Sequence, residues 1–246
     1  MVSGNLIAGA GYLLQGFKLM TQVEIRRYVI IPLAINTLLF ASLFWYGASQ
    51  FNPFIEWLLP DWLDWFRWLL WPLFAATALL ILFYTFTLVA NLIGAPFNGL
   101  LAEAVERHLT GQTPKESGGF GKIARDLIPS LISEFKKILY FLVRAVPLLI
   151  LFLIPGVNIV APFLWIAFTA WMLALQYTDY PMGNHGLLFP QQRLKLQERR
   201  MTALGFGGAA LFLTLIPVVN FLAMPTAVAG ATAMWVEEFG KEQGKP

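Results

Sequence analysis

Four stretches of the chain, 28–55, 68–102, 145–178 and 201–236, contain no Asp, Glu, Lys or Arg. Each is 28 to 36 residues long, more than the roughly 20 residues a helix needs to cross the hydrocarbon of a bilayer. Together they fill more than half of the 246 residues, and a water-soluble monomer does not expose that much apolar surface. The chain therefore reads as an all-α integral membrane protein. Its function has to be sought in the few polar groups held at or near the hydrocarbon.

Composition removes several function classes. Charged residues are 13% of the chain, against about a quarter in a soluble domain. There is no cysteine, which excludes disulfides, thiolate metal sites and cysteine catalysis. A net charge of +3 leaves no polybasic tail for nucleic acid. The first 20 residues lack a basic start and are interrupted by Gly4, Gly9, Gly11 and Gly16, unlike a cleaved signal peptide. Leu6, Ala10, Leu13, Phe17 and Met20 share one helical face, so an N-terminal amphipathic helix is expected on or in the membrane surface.

The organisation expected is a single membrane domain, 1–246, with spanning helices at about 28–50 and 68–95. Pro32 is expected to mark the start of the first, with a bend as the alternative. An interfacial connection covers 51–67, and Asn91, Pro96, Phe97 and Asn98 are expected to close the second. The stretch 103–137 reads as a cytoplasmic-side helical segment with a Gly/Pro/Ser-rich break over 111–121. A new helix follows from Lys122, its apolar face marked by Ala124, Leu127, Ile128, Leu131, Phe135 and Ile138. The last two apolar runs each contain Leu-Ile-Pro-x-Val-Asn, at 153–158 and 215–220, followed by Pro162 and Pro225. Proline ends a helix and Asn can cap the next. Each run is thus expected to split into arms of about 10 to 20 residues, giving partly penetrating helical hairpins over about 138–178 and 201–236. Two kinked spanning helices are the alternative. Of 17 Lys and Arg, only Arg67 lies between the first two spans. That bias puts both termini, 103–137 and 191–200 in the cytoplasm.

Few polar groups are candidates for chemistry. Glu24-Ile25-Arg26-Arg27 precedes an apolar helix, and guanidiniums beside a helix N-terminus suit an oxyanion; the same residues also serve as a positive-inside anchor. Asn36, Asn91, Asn98, Glu103, Glu106, Arg107 and His108 are pore or gate candidates, Glu103 and Arg107 having the i,i+4 order of a helical ion pair. Asp179, Asn184 and His185 read as a hydrogen-bonded loop holding the two hairpins, since no third ligand stands at metal-site spacing. Neither a phosphate loop nor a catalytic triad order is present, so no cofactor, metal or enzymatic activity is expected.

Arg26-Arg27-Tyr28-Val29-Ile30-Ile31-Pro32 through Asn36, Asn91 through Pro96-Phe97-Asn98, and Gln176-Tyr177-x-Asp179-Tyr180-Pro181-x-x-Asn184-His185 resemble the CysZ family of bacterial sulfate permeases, within the group of etoposide-induced-protein-like membrane proteins. The resemblance implies proton-linked or channel-like sulfate import at the bacterial inner membrane, feeding cysteine biosynthesis. It implies two spanning helices with two partly penetrating pairs, and a homodimer or a hexamer built as a trimer of dimers. The resemblance also allows protomers that face opposite ways across the membrane. Its sulfate site carries a Gly-Leu-Arg pattern followed here by a second Arg, which falls on Glu24, Ile25, Arg26 and Arg27. Glu24 departs from glycine, which shifts or weakens the site or leaves Glu24 pointing away. The alternative function is a non-transporting scaffold for a protein partner; a lipid-acting enzyme ranks behind both.

Overall fold

The computed structural model describes residues 5–58, 67–112 and 120–240, and its described residues contain helices and no strand. Among the described residues eight α-helices follow one another: α1 Leu6–Met20, α2 Arg27–Leu58, α3 Arg67–Thr110, α4 Phe120–Leu151, α5 Ala161–Asn184, α6 Phe189–Glu198, α7 Arg200–Thr214 and α8 Pro217–Glu238. The chain divides into two units, Met1–Arg27 with Asn98–Pro246, and Tyr28–Phe97.

In the second unit, α2 carries the expected first span. Arg27–Gln50 is long and apolar enough to cross a membrane and is almost wholly unburied. The helix begins at Arg27, so Pro32 lies inside it rather than at its start. Proline in the second turn removes only one backbone bond. It also runs through Pro53 to Leu58, so the expected connection begins later than 51, and its remainder, 59–66, lies outside the described residues. The expected span 68–95 falls on α3, most of whose side chains there lie outside the described residues. Pro96 and Asn98 do not close that helix, which continues to Thr110. It ends at Gly111, whose φ of 72° and N–H bond to the Arg107 carbonyl make a left-handed stop. Beyond Pro96, burial of Leu101, Ala102 and Val105 holds the helix where local signals favoured an end.

The first unit is built on α1, α5, α7 and α8. Glycines permit backbone-to-backbone approach at their crossings: a Cβ on Gly9 would lie 2.1 Å from the Thr202 carbonyl oxygen, one on Gly16 2.2 Å from that of Thr226, and one on Gly207 1.8 Å from that of Ala170. Small residues of this kind are how helices pack in lipid, where no hydrophobic force draws them together. Helix α1 therefore buries Gly9, Tyr12, Leu13, Gly16, Leu19 and Met20. Of the expected apolar stripe, Leu13 and Met20 are buried and Leu6 and Phe17 are exposed, and the glycines are packing surfaces of the helix.

Both breaks occur where expected. Helices α4 and α5 run antiparallel, as the Phe141–Phe168 stack and the Trp171–Tyr140 hydrogen bond show. Helices α7 and α8 do the same, with Arg199 at the start of one 3.5 Å from Glu238 at the end of the other. Three of the four arms are longer than expected, at 32, 24 and 22 residues, whereas α7, at 15, lies within the expected range. Helix α4 runs on through Pro129 and Pro147 and joins the polar part of 120–137 to the apolar part. Within α8, Val219–Glu238 is itself long and apolar enough to span, although 61% of it is buried. Neither Asn caps a helix: α5 is preceded by Val160 and α8 by Ile216, each followed by a proline in the first turn. The missing proline N–H falls where no intrahelical acceptor exists. Leu131, Phe135 and Ile138, part of the expected apolar face of α4, are exposed.

Candidate functional site

The 24–27 segment forms the turn between α1 and α2. Its backbone is tied by N–H bonds from Ile25 and Arg26 to the Gln22 carbonyl, at 3.0 and 2.8 Å. Ile25 is fully buried (0% exposed), anchoring the turn so that its neighbours point outward. Arg26 is exposed and, among the described residues, its side chain forms no hydrogen bond or ion pair. Arg27 is exposed and opens α2, where backbone N–H groups lack intrahelical acceptors. Glu24 lies 3.5 Å from His108 Nδ1, with the carboxylate side chain 79% exposed. An exposed pair of this kind contributes little stability, but it turns the carboxylate toward the end of α3.

A second polar group forms where the end of α3 meets the end of α5. Glu106 is buried and its Oε1 lies 2.8 Å from His185 Nε2. Its Oε2 is also buried and has no partner among the described residues. A buried carboxylate with one oxygen unsatisfied is costly to maintain, so the His185 contact carries most of its compensation. The His185 ring lies 5.4 Å from that of buried Trp235. Asn184 donates to the Gly99 carbonyl at 2.9 Å. Buried Asn98 reaches Met224 Sδ at 3.4 Å and the Tyr180 hydroxyl at 3.5 Å. Glu103 is half-buried and Arg107 exposed, and the expected ion pair between them is not made. Asn36 and Asn91 belong to the other unit. Asn36 Oδ1 is covered and has no partner among the described residues; the Asn91 side chain lies outside them.

The expected 179–185 loop is instead the last turns of α5 and its cap. Pro181 stays helical because the surroundings, including fully buried Met182, hold the turn. Asp179 pairs with Lys137 of α4 and accepts from Gln192 of α6 at 2.6 Å. Lys137 also meets Glu134 at 2.8 Å. Burial lowers the Lys137 pKa, but the Asp179 and Glu134 carboxylates outweigh it and hold the ammonium above its ordinary value of 10.5. The sequence reading missed Lys137 and Gln192. The i,i+3 spacing of Glu134 and Lys137 was its only local trace.

No group of three His, Asp or Glu able to hold a metal occurs among the described residues. Two polar groups are therefore assembled: an exposed turn that carries Arg26, Arg27 and the Glu24–His108 contact, and a buried carboxylate–imidazole pair formed by Glu106, two residues before His108 on α3, and His185. The family model for Sulfate transporter CysZ/Etoposide-induced protein 2.4 matches residues 12–225.

Proposed function

This chain belongs to the sulfate transporter CysZ/etoposide-induced protein 2.4 family, and from that premise we propose that it carries sulfate across a bacterial inner membrane for cysteine biosynthesis. The observation that carries the reading is the family match, which includes the exposed guanidiniums at 26 and 27. Arg26 and Arg27 capture the dianion through their planar donors. Asn36, Asn91, Asn98, Glu103 and Arg107 line the path or its gate. Either passive permeation or proton linkage fits this lining; Glu103, Glu106 and His108 are the titratable groups available for the latter.

Sulfate does not enter hydrocarbon without a polar lining. Two spanning helices enclose too little space for one, so the protein works as a homo-oligomer, a dimer or a trimer of dimers. The α4–α5 and α7–α8 pairs dip part-way into the bilayer with their breaks leading. Residues 152–160 support this placement: all are exposed, and Leu153 reaches 80%. Both termini and 103–137 face the cytoplasm in this arrangement.

Purified protein in liposomes is expected to take up radiolabelled sulfate above the level of empty vesicles, and Arg26→Ala with Arg27→Ala to reduce it at least tenfold. Wild-type flux equal to empty vesicles refutes transport and leaves the scaffold role. The absence of cysteine permits a second test. A fluorophore on Leu153→Cys is expected to be quenched by lipids labelled deep in their chains; quenching only by headgroup-labelled lipids refutes the inserted hairpin.

A further inference from the structure

The aromatic cluster part-way along the α4–α5 pair has two cations beside it. The Arg144 guanidinium lies 3.7 Å from the Tyr140 ring centroid, and that of Arg193, on α6, lies 5.3 Å from the same centroid. Trp171 Nε1 donates to the Tyr140 hydroxyl at 2.9 Å. Among the described residues neither guanidinium has a carboxylate partner, and Arg193 Nε is covered without an acceptor. The nearby carboxylates Asp179 and Glu134 are already engaged by Lys137 and Gln192. Local charge is therefore positive and uncompensated.

Height decides what compensates it. Tyr140 lies eleven residues before the end of α4 and Trp171 ten residues after the start of α5, which is about 16 and 15 Å along a helix. Half the hydrocarbon thickness of a bilayer is about 15 Å. Between this level and the break, Phe141, Leu142, Val143, Val146, Leu149 and Ile150 are exposed. Arg144 is set in that apolar surface, yet its guanidinium folds back one turn onto Tyr140, away from the break, with Nη1 3.5 Å from the Tyr140 carbonyl oxygen. This is how a cation close to hydrocarbon reaches the headgroup level, and Tyr and Trp favour the same level.

We propose that Arg144 and Arg193, set on Tyr140 beside Trp171, bind the phosphate of an anionic phospholipid headgroup. The inference rests on the half-inserted placement of α4 and α5 proposed above. The two guanidiniums hold the phosphate, and the acyl chains lie along the exposed apolar face of α4. The bound lipid supplies the missing counter-charge and fixes the depth of the α4–α5 pair.

Native mass spectrometry of the purified full chain tests this in detergent micelles doped with phosphatidylglycerol or phosphatidylethanolamine. The wild type is expected to retain phosphatidylglycerol in preference. Arg144→Gln with Arg193→Gln is expected to lose about tenfold or more of that retention, as removing charge-assisted hydrogen bonds does. Arg144→Gln alone, at an exposed position, is expected to lose part of it and keeps the test valid if the double variant misfolds. Equal retention of both lipids, unchanged retention in Arg144→Gln, or displacement of phosphatidylglycerol by millimolar sulfate overturns the lipid site. Lipid selectivity in a wild type that carries no sulfate refutes only the transport reading. Sulfate flux without lipid selectivity refutes only the lipid site.

Discussion

The two copies of Leu-Ile-Pro-x-Val-Asn begin alike and then diverge. In both, the Asn N–H bonds to the Ile carbonyl four residues earlier, at 3.0 Å for Asn158 and 2.8 Å for Asn220. In the second copy that bond opens α8 at Pro217, after Ile216 in the extended conformation (φ −93°, ψ 107°) that a residue before proline prefers. In the first, Gly156 takes a φ of 83°, a 3-10 turn follows over Val157–Ile159, and α5 begins only at Ala161. The position after proline decides. Glycine enters the left-handed region freely, whereas the β-branched Val218 does not.

What lies beneath each break differs as well. Helices α7 and α8 meet α1 through glycine-to-backbone contacts at Gly9, Gly16, Gly205 and Gly230. The α4–α5 pair is joined by aromatic contacts and by the Lys137–Asp179 pair, and much of α4 stays exposed. One pair is held by close packing, the other by side-chain bonds.

The largest effect is expected where α1 packs backbone to backbone on α8. Gly16→Leu puts a side chain into the Thr226 and Gly230 backbone and should destabilise the protein by about 3 kcal/mol or more, read as denaturant or thermal unfolding in detergent. A loss under about 1 kcal/mol would show that the α1 crossing is not tight. Next is His185→Ala, which strands the buried Glu106 carboxylate and should cost about 2 kcal/mol. Adding Glu106→Gln should recover part of this, and additive losses would deny the coupling.

Exchanging the two breaks tests the comparison directly. Gly156→Val forces a side chain into the left-handed region and should cost about 1–2 kcal/mol. Val218→Gly should cost about 1 kcal/mol through helix propensity, and equal tolerance at both sites would break the distinction. The smallest effect is pH-dependent. Lys137 is raised in the folded state, so its stabilising contribution is complete below the ordinary lysine value. It is lost as pH climbs through the higher folded value. Unfolding midpoints of the wild type are expected to fall over that alkaline window, and Lys137→Gln to lack this component. Identical profiles would remove the pair from the α4–α5 joint.

Much of the fold was legible locally. Uncharged runs marked the apolar helices, and the two prolines marked both breaks within a few residues. The continuation of α3 past Pro96 was not legible, because Leu101, Ala102 and Val105 are buried against distant segments. At the candidate site, the segment motifs placed 24–27 just before an apolar helix, and the turn itself came from the structure. They gave no hint that Glu24 meets His108 or that Glu106 meets His185, residues separated by 84 and 79 positions.

The order of amino acids alone determined a membrane-suited, all-helical chain, its family likeness and the places where the third and fourth apolar runs break. Charge-free length and proline chemistry act within a few residues and need no partner. Tertiary structure decided which glycines became contact surfaces, which face of α1 was buried, and that Glu106, His185 and Trp235 share one site. Those outcomes depend on which backbones approach one another, a property that no local window of sequence contains.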